Sequence, residues 1–242
     1  MAAPRSLVDF QVTVRETDLF ILAASRELQS YAGERTVFYR RQVEHFLTLF
    51  PGVREQLGPF TPPAGALLPP VVRAMVDAGR QAGVGPMAAV AGAIAEAVGR
   101  DLLARSPAVL VENGGDLFLA GEREYTVAVF AGPSPFSGKI GLRLARPAPF
   151  AAGVCTSSAT VGHSLSFGRA DAVVVGAETA ALADALATAG ANRVRDRHDL
   201  QPVVEDLRSR EGVFGAVAIL GEQLAAAGEL ELVPLAGAAM DD

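Results

Sequence analysis

Apolar and polar positions alternate in Phe10-Gln11-Val12-Thr13-Val14, and a second apolar run, Leu19 to Ala24, follows the polar stretch Arg15-Glu16-Thr17-Asp18. Two β-prone runs around a polar turn predict a hairpin. The period then lengthens: Val37, Val43, Phe46 and Phe50 share roughly one face of a helix near Arg35 to Leu49, which Pro51-Gly52 ends. After a Pro-rich but apolar loop (residues 58–70), Pro70 signals a helix over Val71 to Ala82. A second helix, about Met87 to Ala104, follows Gly83-Val84-Gly85-Pro86. From there strands are expected over Ala108–Val111, Leu117–Ala120, Tyr125–Phe130, Ile140–Leu144, Ala152–Thr156 and Asp171–Val175. Helices over about Glu178–Ala189 and Leu200–Ser209 come next, and Phe214–Gly221 and Glu229–Pro234 read as two closing strands. Helices are clustered rather than alternating strictly with strands, so the pattern favours α+β over a doubly wound α/β sheet. With no long polar linker and no repeat, residues 1–242 read as one domain with mixed or antiparallel sheets.

Composition narrows the chemistry. Half of the 242 residues are hydrophobic, ample for a core. One Cys, Cys155, excludes a disulfide framework and a Cys-based zinc or iron–sulfur site within one chain. Three scattered histidines argue against a His-rich metal centre, so any metal is expected to take oxygen ligands, which points to Mg²⁺ or Ca²⁺. The net charge of -6 and the absence of a basic block argue against nucleic acid as a partner. No targeting signal and no membrane span are visible, which makes a cytoplasmic protein with a reduced thiol the default expectation.

Three motifs carry candidate chemistry. In Glu112-Asn113-Gly114-Gly115-Asp116, Asn-Gly is a strong hairpin signal, and both central residues of such a turn need positive φ. The same glycines expose N–H groups to an anionic or planar ligand, with Asn113 and Asp116 as polar handles. The second motif, between two strands, runs from Gly153 to Asp171 and is dense in hydroxyls: Thr156, Ser157, Ser158, Thr160, Ser164 and Ser166 accompany His163. It suits phosphate or nucleotide oxygens, or a serine nucleophile (Ser157 or Ser158) with His163 as base, although there is no GxSxG elbow; a solvated loop is the alternative. In the third, Ala183-Asp184-Ala185-Leu186-Ala187-Thr188, Asp184 and Thr188 stand at i and i+4. They make a carboxylate–hydroxyl pair suited to Mg²⁺, or an exposed face on which the Thr bonds back to a carbonyl. Gly92, within the small-residue stretch Ala88 to Ala95, costs about 1 kcal/mol against Ala in a helix and so implies a packing or binding reason. Cys155 reads as a small buried hydrophobe, and His45 and His198 as surface residues.

Order and spacing of these motifs over roughly residues 80–190 resemble the ApbE superfamily, the FAD:protein FMN transferases. The shared elements are the helix Val90-Ala91-Gly92-Ala93-Ile94-Ala95-Glu96, the strand–Asn113-Gly114-Gly115-Asp116–strand hairpin, Thr156-Ser157-Ser158 leading to His163, and the late Ala183-Asp184-Ala185-Leu186-Ala187-Thr188 helix. The string from Thr156 to Asp171 resembles more closely an uncharacterised family within that superfamily. The resemblance implies a T-fold-like α+β domain that binds FAD through Gly92, Asn113, Gly114, Gly115, Asp116, Thr156 and Thr160. It also implies Mg²⁺ on Asp184, Thr188 and a backbone carbonyl near Val90, polarising the FAD pyrophosphate, and a homodimer is conceivable. Two departures stand out: the helix lysine of the superfamily is absent from Val90-Ala91-Gly92, and the string after His163 lacks its Asp and Pro. The expectation is therefore a Mg²⁺-dependent flavin-handling protein. Its alternatives are a non-catalytic flavin or nucleotide binder, or an enzyme acting on another phosphorylated small molecule.

Overall fold

The structure, a computed structural model, describes residues 7–144, 150–158 and 168–235. The N-terminal alternation closes into the expected hairpin: β1 (Val8–Val14) pairs with β2 (Thr17–Ala23) around the two-residue turn Arg15-Glu16. Phe10, Val12, Leu19 and Ile21 point inward and are buried. The next helix, α1 (Leu28–Leu49), begins two turns before the expected Arg35. Its early buried positions are Ala32 and Thr36, too small or too polar to register in an apolar pattern, and the Thr36 hydroxyl donates back to the Ala32 carbonyl at 2.8 Å.

α2 (Pro70–Ala82) opens on its proline and ends on Gly83 at φ 75°, a left-handed cap. The helix expected from Met87 is divided into a 3₁₀ turn, Pro86–Ala89, and α3 (Val90–Leu103). The strands follow as β3 (Ala108–Asn113), β4 (Asp116–Gly121), β5 (Tyr125–Ala128), β6 (Ile140–Leu144), β7 (Phe150–Ser157) and β8 (Ala172–Ala177). After α4 (Ala180–Arg193) and α5 (Leu200–Arg208), three strands close the chain where two were expected: β9 (Val213–Leu220), β10 (Gln223–Gly228) and β11 (Glu231–Pro234). The unexpected strand, Gln-Leu-Ala-Ala-Ala-Gly, has little β propensity of its own and forms by pairing along β9 through a Gly221-Glu222 turn.

Eight strands form one sheet in the order β1-β2-β3-β4-β7-β8-β9-β10, and β11-β6-β5 form a second; every pairing is antiparallel. The central strands β4 and β8 are buried along their whole length because both faces are covered. Phe118, Val111 and Val173 pack beneath α3 and α4, whereas Leu117, Leu119, Val154 and Val174 pack against Leu142 and Leu144 of the small sheet. An outer helical layer, α1 and α2, rests on α3 and α4 through Phe46, Val72, Met75 and Ala93. The result is a layered α+β fold. Among the described residues no single helix is long and apolar enough to cross a membrane.

Candidate functional site

The turn joining β3 to β4 organises the site. Asn113 lies opposite Asp116, so the central pair is Gly114-Gly115, at φ 64° and 101°, rather than Asn113-Gly114. Both dihedrals are those of a primed hairpin turn, which glycine adopts without strain. A Cβ at either glycine would meet nothing within 4 Å, so the turn borders open space.

Two helices converge beside it. Asn113 donates from Nδ2 to the Ala91 carbonyl at 3.1 Å, and the next residue of α3, Gly92, donates its N–H to Asp184 Oδ2 at 2.9 Å. The first turn of α3 is thus held from one side by the hairpin and from the other by α4. A Cβ on Gly92 would lie 2.3 Å from the Ala180 carbonyl oxygen, so this glycine lets the helices approach. Glu96, one turn further on, accepts the Ala180 N–H at 2.7 Å and caps α4 together with Thr179.

Asp116 and Asp184 are both buried. Burial, with the Glu112 charge adding to it, pushes the Asp116 carboxyl up to about 7, and Asp116 Oδ1 has no hydrogen-bond partner. Asp184 is raised well above the ordinary carboxylate value by burial and then by the Asp116 charge, against donation from the Gly92 and Ala91 N–H groups. The Cys155 thiol, opposite Asp116 across the β4–β7 pair, donates to the Ala180 carbonyl at 3.3 Å and is itself pushed up by burial. It is the buried small group expected. His45 and His198 are exposed, also as expected.

The large sheet divides the other expected site residues. Along β7 successive side chains face opposite ways. Cys155 and Ser157 point to the helices, and Ser157 Oγ is buried without a partner. Thr156 and Ser158 point to the other face and line a cavity of about 440 Å³ with Gly114, Gly115, Glu112, Leu117, Phe20 and Phe130. Ser157 and Ser158 are therefore not interchangeable members of one catalytic group. Thr188 is half-buried, one turn beyond Asp184 on α4. His163 and Thr160 lie outside the described residues. Among the described residues no three His, Cys, Asp or Glu side chains form a metal-binding group; the buried carboxylates at this point are Asp116 and Asp184. Hard oxygens with an orphaned acceptor and no neutralising cation among the described residues fit Mg²⁺, which completes its shell with hydroxyl, carbonyl and water oxygens. Asp116, Glu96 and Glu112 had no ligand or capping signal of their own beyond their places in the motifs; their roles arise from strand pairing and helix packing.

A second cavity, of about 390 Å³, opens on the helix face, where Asn113 and Ala91 meet α1 and the β1–β2 turn.

This arrangement of sheets and helices is the fold of the ApbE flavin transferases. The chain is similar to the Pseudomonas stutzeri flavinyl transferase ApbE, with a TM-score of 0.57 at 14% identity over 94% of this chain and 96% of that one. Its similarity to the ApbE protein of Thermotoga maritima has a TM-score of 0.56 at 16% identity, over 91% and 97% of the two chains. A family model described as AbpE bacteria matches residues 1–226, and the chain belongs to this family. Relatives within reach by sequence are UPF0280 proteins: that of Methanosphaerula palustris is 42% identical over 94% of this chain and 93% of its own. That of Methanocella arvoryzae is 44% identical over 79% and 77%.

Proposed function

We propose that the protein is a Mg²⁺-dependent flavin-handling protein acting on the FAD pyrophosphate. The observation that carries this reading is the buried Asp116–Asp184 pair, two carboxylates with raised proton affinity, an orphaned oxygen and no cationic partner among the described residues, set at the Gly114-Gly115 turn. Burying two carboxyl groups this way is costly unless a proton or a cation neutralises them. The ApbE-like fold supports flavin as the ligand.

In this reading Asp184 and the Thr188 hydroxyl hold the metal and Asp116 contributes its free oxygen. When bound, Mg²⁺ supplies Lewis-acid polarisation of the phosphate oxygens. The chain's own groups do the positioning. The Gly114 and Gly115 N–H groups lie where backbone can approach phosphate closely. Thr156 and Ser158 offer hydroxyls to the ligand from the 440 Å³ cavity. Leu117, Phe20 and Phe130 form an apolar wall there suited to a flat ring. Asn113 and Gly92 keep the helix start and Asp184 in register.

The test is direct: purified protein with Mg²⁺ and FAD is expected to release FMN and AMP on chromatography, and Asp184→Ala to abolish it. Absence of turnover by the native protein would sink the catalytic version. The alternative is a binding-only role, in which Thr156 and Ser158 hold the ligand in the 440 Å³ cavity. Thermal stabilisation by FAD without turnover would select that role.

A further inference from the structure

We propose that the concavity of about 460 Å³ between the segment entering β8, the loop joining α4 to α5 and the β9–β10 turn is a docking surface for an acidic polypeptide segment of a protein partner. Three arginines line it, Arg169, Arg195 and Arg197, together with His198, against a single carboxylate, Asp196. All five residues are exposed.

None of the three arginines has an ion-pair partner among the described residues. Scarcity of acids does not explain this, because the chain holds 27 Asp and Glu to 21 Lys and Arg. Arg193 and Arg210 both pair with Asp206, at 2.5 and 3.1 Å. The carboxylates of the α4–α5 loop are committed to its backbone. Asp196 accepts the His198 N–H at 2.8 Å, and Asp199 accepts those of Arg195 and Asp196 at 2.8 and 3.1 Å, a capping box on the 3₁₀ turn Arg197–Asp199.

The backbone beneath the arginines is fixed. Arg169 donates its N–H to the Val194 carbonyl at 2.7 Å, and a Cβ on Gly168 would run into the Ala191 carbonyl, so glycine lets the two segments meet. This packing gathers like charges from distant parts of the chain, and juxtaposed like charge is unfavourable until an opposite charge offsets it. A fixed cluster of uncompensated cations is complementary to a partner carrying several negative charges.

Two features favour carboxylates strung along a polypeptide. The N–H groups of Arg169, Arg195, Asp196, His198 and Gly221 are already bonded within the chain, that of Gly221 to Asp171 at 2.7 Å. The lining residues therefore offer no run of free N–H groups to cradle a phosphate. No Phe, Tyr or Trp among the described residues lines the surface, so a nucleic-acid strand would find no platform for its bases. Exposed guanidinium groups pair well with carboxylates, and half-buried Leu220 adds an apolar contact.

The surface lies at the same end of the large sheet as the Gly114-Gly115 turn, but β7 and β8 separate it from β4, about 14 Å across three strand spacings. It shares no residue with the proposed metal and flavin sites and does not rest on the flavin reading. The experiment therefore omits flavin and Mg²⁺. Fluorescence anisotropy with the full chain compares a labelled peptide of alternating Glu and Gly with its Gln and Gly counterpart, and tripolyphosphate and an oligothymidylate serve as competitors. The Glu peptide is expected to bind saturably and at least about tenfold more tightly than the Gln peptide, and to weaken with added salt. The exposed double variant Arg195→Gln/Arg197→Gln is expected to lose about five- to tenfold in affinity, and Arg169→Gln several-fold. Arg73→Gln, at an exposed arginine of α2 without an ion pair, is expected to change nothing. No saturable binding in the millimolar range, equal affinity for the Gln peptide, an unchanged double variant, an equal loss in Arg73→Gln, or tighter binding of tripolyphosphate or oligothymidylate overturns the proposal.

Discussion

Asp184 stands among alanines and leucines on α4, and its carboxylate nevertheless accepts a hydrogen bond from the first turn of α3. A buried acid in this setting has three ways to lower its cost: protonation, hydrogen bonds or a cation. Its neighbour Asp116 is buried as well, with Oδ1 unpaired, and burial with the Glu112 charge pushes its proton affinity up to about 7. A folded-state value above the unfolded one means that the native protein binds the extra proton, so its stabilising contribution is present in acid and is lost as pH rises. We expect the denaturant midpoint of metal-free protein to fall as pH is raised from about 4 to about 7. Asp116→Asn, which cannot ionise, should flatten that slope and leave the protein more stable than the native chain at pH 8. Added Mg²⁺ should restore stability more at pH 8 than at pH 5, and Asp184→Asn should cancel that restoration. A midpoint insensitive to both pH and Mg²⁺ would rule out a charge-starved pair.

Elements meet most closely where α3 crosses α4. Gly92→Ala isolates that contact. Ala gains about 1 kcal/mol over Gly in helix propensity. Overpacking a close contact costs about 1–3 kcal/mol, and here the new methyl would meet a backbone oxygen at 2.3 Å and the Asp184 Cβ at 3.0 Å. Backbone yields less readily than a side chain, so packing outweighs propensity. With the packing cost towards the upper end of that range, the net loss is about 1–2 kcal/mol, and the melting temperature should fall by roughly 2–8 °C, at about 2–4 °C per kcal/mol for a domain of this size. An unchanged or higher melting temperature would show that the helices can part freely. The same comparison explains which elements sequence pattern reveals. Strands with apolar runs, such as Ala172–Ala177, and helices with strong apolar faces, such as Pro70–Ala82, are visible locally. The first turns of α1 and the whole of β10 are not, since neighbours rather than their own side chains stabilise them.

Across the whole molecule, the eight-stranded sheet is a partition with a different set of candidate site residues on each face. Asp116, Asp184 and the helix junction lie on one face; Thr156, Ser158, Glu112 and the apolar wall of the 440 Å³ cavity lie on the other. The Gly114-Gly115 turn at the end of β3 and β4 is the edge they share. Changes on the two faces should therefore separate. Phe20→Ala and Thr156→Val are expected to weaken flavin binding roughly two- to tenfold, the range of an aromatic contact or of a neutral hydrogen bond, each about 0.5–1.5 kcal/mol. Neither should alter the Mg²⁺-dependent stabilisation, which Asp184→Asn should remove. Calorimetry with FAD and thermal melts with Mg²⁺ check both halves, and coupled losses in all three variants would contradict a partitioned site.

The chain by itself determined the fold class, the hairpins and most helices, because hydrophobic period and turn chemistry are local properties. It also marked Gly92, Asn113, Gly114, Gly115, Asp116 and Asp184 as residues that meet, through motifs whose order resembles ApbE. Only tertiary structure decided how they meet. Asp116 is joined to Asp184 across β4, β7 and α4, Glu96 caps a helix 84 residues away, and Ser157 and Ser158 part to opposite faces. The arginine cluster likewise gathers Arg169, Arg195 and Arg197 from the segment entering β8 and the loop after α4. Burial, charge coupling and strand-face parity depend on which segments lie against one another, and no local pattern encodes that.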